Sequence, residues 1–339
     1  MRDDTQVLLT RRSLLAGCAA VSFGCAAVAR GEEAGPMTSD KAGKLTIYSP
    51  APPANPMHKL NLLLADVADE RSPLPVLDIP PLALPQSITG IASNASHDRA
   101  AFWPIVTTVD FALARAGAGP DWHGYPRPCP DLKFVSRLYD VGFGIALWNG
   151  PVRGPDDLRG KRIAAPPRPS AVRLMTEVLL RDGWNILDEV TLVDMVPPAI
   201  AAAKAAGEID GTSWNLVVPN ATGYAAILPA DLVAPEQFVP VDEAALARIN
   251  GANQFTLAHT DLLDGAPPLL SFAQALAAWD EADPAQLTEM LTYIEAKGGA
   301  LPGYPGSVED MAIWPGLKSE AVHPVARSFF AAHGIDFQS

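Results

Sequence analysis

Apolar positions between residues 162 and 214 change period several times, and each change marks a new element. A short apolar run, Arg162 to Ala165, predicts a strand. Ala171, Val172, Leu174, Met175, Val178 and Leu179 then recur at helical spacing within Ser170 to Arg181, with Ser170 as the N-cap and Gly183 as the stop. Glu189 to Val193 predicts a strand, Pro198 to Ala206 a helix ended by Gly207, and Ile209 to Trp214 another strand. Alternation of this kind argues for α/β layers.

Upstream, Lys44 to Ser49, Pro73 to Ile79, Ile105 to Asp110 and Leu132 to Leu138 predict strands, and Asn55 to Asp66 and Phe111 to Ala116 predict helices. Residues 80–98, rich in proline, serine and asparagine, predict a loop. Gly142 to Trp148 is apolar on both faces, as expected of an interior strand that crosses between layers. Ala244 to Ile249 reads as helical, and Asn253 to Leu257 as an extended return. Helices follow at Phe272 to Glu281, Pro284 to Lys297 and His323 to His333.

The first residues differ in kind. Arg11-Arg12 precedes a short, glycine-interrupted apolar stretch and Ala27-Val28-Ala29, the pattern of a cleaved export signal of the twin-arginine type over 1–29. Leu15-Ala16-Gly17-Cys18 imitates a lipoprotein box but leaves almost no apolar region before its cysteine, so anchoring is the lesser reading. A flexible leader over 30–43 follows. Cleavage leaves Cys129 as the sole thiol, which excludes an internal disulfide or a cysteine metal cluster; in its proline-rich loop it reads as inert.

A chain of 339 residues is long enough for two domains, and its formal net charge of −13 with no basic block argues against nucleic-acid or anionic-membrane surfaces. No nucleophile elbow, zinc-protease helix or phosphate loop is present, and the histidines are scattered. The reading is non-enzymatic, with no cofactor or metal.

The stretch PDDLRGKRIAAPPRPSA, 155–171, carries the main chemical signal. Arg168 stands just before a helix N-terminus, where unsatisfied N–H groups favour an anion and a guanidinium can grip a carboxylate. Ser170 joins it as cap and candidate ligand donor. Phe102, Trp103, Trp148, Trp214 and Tyr224, near proposed strand ends, are candidate rings for an apolar ligand portion, with polar Asn215 beside Trp214.

The order of landmarks resembles type II periplasmic solute-binding proteins, closest to the TAXI branch of receptors for TRAP transporters. The residues that carry the likeness are DDLRGKRIA at 156–164, Asp188-Glu189 with its strand, AAGEIDG at 205–211, and VHPVARSFFAAHGI at 322–335. The resemblance implies an α/β fold of two lobes joined by crossover strands: 44–147 with 254–339 and its C-terminal helices, and 148–253. It also implies a periplasmic receptor that captures a small organic acid in the interlobe cleft and delivers it to TRAP membrane subunits. An ABC-transporter binding protein, and a sensor or carrier for an apolar metabolite or lipid, stay open as alternatives. Prolines replace the family's glycine-rich turns at Pro50 to Asn55 and Pro166 to Ser170, removing donors and leaving room for a larger or more apolar acid.

Overall fold

One sheet runs through the molecule, with parallel strands at both ends and long antiparallel strands between them. The computed structural model describes residues 45–48, 57, 60–61, 84–93, 99–149, 152–220, 223–226 and 232–337; the export signal, the leader, the Pro73 to Ile79 strand and most of Asn55 to Asp66 lie outside them.

The elements are β1 (Thr46–Tyr48), α1 (Leu84–Ala92), β2 (Phe102–Thr107), α2 (Thr108–Ala116), β3 (Leu132–Leu147), β4 (Arg162–Ala165) and α3 (Ala171–Val178). They continue with β5 (Thr191–Asp194), α4 (Pro197–Ala205), β6 (Gly211–Asn220), β7 (Gly223–Ala226), α5 (Glu243–Ala252), β8 (Ala258–Thr260) and β9 (Leu269–Trp279). Helices α6 (Pro284–Lys297), α7 (Val308–Ala312) and α8 (Pro324–Ala332) close the chain.

The strand order is β1-β2-β9-β3-β6-β4-β5, with β7 on β6 and β8 on β9. β1 and β2 are parallel, as are β6, β4 and β5, whereas β3 and β9 run antiparallel to their neighbours. The chain leaves the first parallel set along β3 and returns along β9. Two parallel sets with flanking helices, joined by two crossover strands, make an α/β fold consistent with a two-lobed type II binding-protein architecture. The described residues nonetheless belong to a single compact unit.

The return strand corrects one expectation. Phe272 to Glu281 predicts a helix because SFAQALAAW is rich in alanine, the strongest helix former. The segment is instead β9, buried at every position between β2 and β3. A strand covered on both faces has no two-residue alternation to betray it. Burial overrides propensity here, since each large apolar side chain such as Leu270, Phe272 or Leu276 contributes about 1.5–3 kcal/mol. Two further expectations change. Residues 84–92 form α1 rather than loop, and Leu132 to Leu147 is one strand rather than two.

The family-like stretch at 156–164 earns its spacing mechanically. Gly160, at φ +70, makes the turn into β4, and its N–H donates to Glu189 O at 2.7 Å. Arg159 pairs with Asp156 and Glu189, while the Arg162 guanidinium grips Asp210 at 3.0 Å. These pairs tie β4 to the segments leading into β5 and β6.

Candidate functional site

Strand β2 delivers Thr107 to its carboxyl end, where the side chain caps α2 by accepting from Asp110 N at 2.9 Å. Thr107 Oγ1 also donates to Asp110 Oδ2 at 2.7 Å. The other oxygen of this carboxylate, Oδ1, lies 2.7 Å from His123 Nε2 and accepts from Tyr125 OH at 3.0 Å. Asp110 and His123 side chains are only 1% and 3% exposed. Burial alone would raise the Asp110 carboxyl, but His123, Thr107 and Tyr125 together hold it below its ordinary value. The same burial, with Asp110 beside it, pushes the Tyr125 phenol well up.

This knot fixes the loop that follows α2. Gly117, at φ +63, ends the helix where an added Cβ would meet Pro128 N at 2.4 Å. The loop presents Trp122, whose ring centroid lies 5.8 Å from that of His123.

Facing Trp122 is the carboxyl end of β4. The Arg168 guanidinium sits 4.7 Å from the Trp122 ring centroid, and its Nε and Nη2 donate to Glu177 Oε1 at 3.1 and 2.7 Å. Arg168 is 50% exposed, while Glu177 is 8% exposed. Arg173, one helical turn before Glu177, donates to the same oxygen at 2.8 Å and to Asp194 at the end of β5 at 2.5 Å. Ser170 caps α3 by accepting from Val172 N at 3.2 Å. From the same helix Thr176 Oγ1 lies 2.7 Å from Ser213 Oγ on β6. The result is a seam where the loop after α2 meets the segment after β4, bridged by a half-exposed guanidinium on an indole. Carboxyl ends of parallel strands are where open α/β sheets bind ligands.

Of the predicted ligand residues, Arg168 and Ser170 stand together at this seam. Asn215 is buried two residues beyond Ser213 on β6; its Nδ2 donates to Met57 Sδ at 3.4 Å, and among the described residues its Oδ1 is buried without a partner. Trp214 pairs in register with Gly144, and its side chain lies outside the described residues. Phe102 stacks on Tyr48 with centroids 5.5 Å apart, and Trp103 is fully buried with its Nε1 donating to Ala100 O at 3.1 Å. Trp148 packs in an apolar cluster with Ile200 and Phe238, with Lys204 Nζ 4.8 Å from its ring. Tyr224 lines a separate cavity of about 270 Å³ with Tyr139 and Tyr304, and its hydroxyl donates to Gly303 O at 3.5 Å.

Sequence reasoning missed Asp110, Trp122, Arg173 and Glu177. The four-residue spacing of Arg173 and Glu177 was a usable signal; the Asp110 knot is assembled by tertiary folding and left only the Thr107-x-x-Asp110 cap. Cys129 is buried, which raises its thiol. Among the described residues no group of three His, Cys, Asp or Glu is arranged to hold a metal, and no helix is long and apolar enough to cross a membrane.

No protein-family profile matches the chain, and no curated protein matches it. Solved structures do. A TctC solute-binding protein from Polaromonas is 12% identical over 77% of this chain and 90% of its own, with a TM-score of 0.45. R. palustris Rpa4515 with adipate is 16% identical over 76% of this chain and 83% of its own, TM-score 0.46. MatC from Rhodopseudomonas palustris with bound malate is 15% identical over 77% and 89%, TM-score 0.44.

Proposed function

We propose that the protein is a periplasmic solute-binding receptor that captures a small organic acid at the seam between the loop after α2 and the segment after β4. Residues 44–147 with 254–339 form one lobe and 148–253 the other, and the solute closes them. The observation that carries this reading is Arg168, held between Trp122 and Glu177 and still half exposed. A guanidinium has five N–H donors, and Glu177 takes two of them, which leaves a fork for a solute carboxylate. The Trp122 face covers an apolar portion, and the N-terminus of α3 behind Ser170 adds favourable potential for the negative charge.

Asn215 Oδ1 supplies an acceptor for a hydroxyl or protonated group on the solute. Partner choice rests on the sequence order at 156–164, 205–211 and 322–335, which favours a TRAP-type transporter. The twin-arginine pattern of 1–29 supports export to the periplasm.

Calorimetric titration with adipate and malate, followed by analysis of both acids after incubation, tests the reading. Saturable binding with the acid recovered unchanged supports it; conversion of either acid, or saturable binding only of neutral lipids, refutes it.

A further inference from the structure

A second cavity, of about 280 Å³, runs along α2 and is separate from the Trp122–Arg168 contact. Aromatic and polar residues share its walls. Phe111 and Phe134 meet edge to face with centroids 6.3 Å apart, and Phe255 and Trp314 also line it, beside Thr108, Gln254 and Thr256. Its size approaches the lower bound of about 300 Å³ for small-molecule pockets.

At one end stands Arg115. Its guanidinium lies 5.8 Å from the Phe111 ring centroid, and Nη1 donates to Pro130 O at 2.5 Å and Leu132 O at 2.7 Å. Those acceptors are neutral carbonyls, and among the described residues no carboxylate forms an ion pair with Arg115. Lys318 adds a second cation to the lining against the single carboxylate of Glu320. Burial lowers the Arg115 pKa, the mark of a cation short of compensation, while Glu320, Asp280 and Asp131 offset this only in part. Arg115 lies seven residues along α2 from Thr108, about 10 Å at the helical rise, so a charged group bound there stands well away from the seam.

We propose that this cavity is a second binding site, for a small aromatic carboxylate, with Arg115 and Lys318 holding the carboxylate and the ring packing against Trp314 and the exposed edges of Phe111 and Phe255. A guanidinium hydrogen-bonded only to carbonyls, at the end of a partly aromatic cavity, suits that chemistry: the ring replaces water on the apolar part of the wall, and the carboxylate uses donors left over by two carbonyls. The site belongs to the chain whether or not the seam binds a solute.

The test uses the full chain with 3-phenylpropanoate as probe and 3-phenylpropanamide as its uncharged counterpart. The acid is expected to bind saturably and at least about tenfold more tightly than the amide, a difference of about 1.4 kcal/mol. Arg115→Gln keeps a donor for the carbonyls and loses the preference for the acid. Lys318→Glu weakens acid binding, and Ala112→Phe, which fills the cavity from the α2 face, abolishes it. Arg168→Ala leaves it unchanged. Equal binding of acid and amide, loss of binding in Arg168→Ala, or no saturable binding to the native chain overturns the proposal. If Arg115→Gln does not fold, as judged by thermal melting, the other two cavity substitutions decide it.

Discussion

Two charge clusters flank the same seam, and they differ in how far they are sealed. Around Asp110 every described partner is buried, and the carboxylate is satisfied by Thr107, His123 and Tyr125. Around Glu177 the carboxylate is buried, but Arg168 on one side and Asp194 on the other reach solvent. A sealed cluster fixes geometry, because an uncompensated buried charge costs several kcal/mol. An open one keeps donors available to a newcomer. The Asp110 knot therefore serves as the anvil that holds Trp122, and the Glu177 ladder presents Arg168 to it.

Substitutions should separate the two clusters by what they damage. Asp110→Ala is expected to have the largest effect, about 3–5 kcal/mol of stability in urea unfolding, because it strands His123 and Tyr125 in the interior. Its pH signature follows from the depressed carboxyl. The stabilisation is present above the unfolded-state value of about 3.9 and is lost as pH falls through the lower folded value. Asp110→Asn should flatten that acid limb; an acid limb identical to that of the native chain would show that the knot is not its source.

Next comes Glu177→Ala, at about 1.5–3 kcal/mol, because it leaves Arg173 without its buried partner. A loss as large as that of Asp110→Ala would erase the distinction between the sealed and the open cluster. Ser170→Ala should cost about 1 kcal/mol through the lost cap of α3, read as a lower melting temperature. Arg168→Ala should change stability least, by under about 1 kcal/mol, since a half-exposed guanidinium is screened by water. Its effect belongs to solute affinity.

The same contrast explains what could be read from the sequence. The rhythm from β4 to β6 was legible because Gly160, Ser170, Gly183 and Gly207 punctuate it with turns, a cap and helix ends. Arg168 was legible as a cation beside a helix N-terminus. Its partner Trp122 was not, because the loop after α2 and the segment after β4, 46 residues apart in sequence, meet only in the tertiary fold. The strand β9 was hidden by alanine, whose preference for helix is weaker than the burial that the crossover position imposes. Helix α1 was obscured by Pro85 in its first turn and Gly90 near its end, residues that usually interrupt a helix but are tolerated at such positions.

The most direct test of the central claim is native mass spectrometry of the full chain titrated with adipate and malate, comparing the native protein with Arg168→Ala and with Asp110→Asn. The seam account predicts a stoichiometric acid adduct on the native chain, its loss in Arg168→Ala, and its retention in Asp110→Asn at neutral pH as long as that variant stays folded. An adduct that survives Arg168→Ala undiminished would contradict the account.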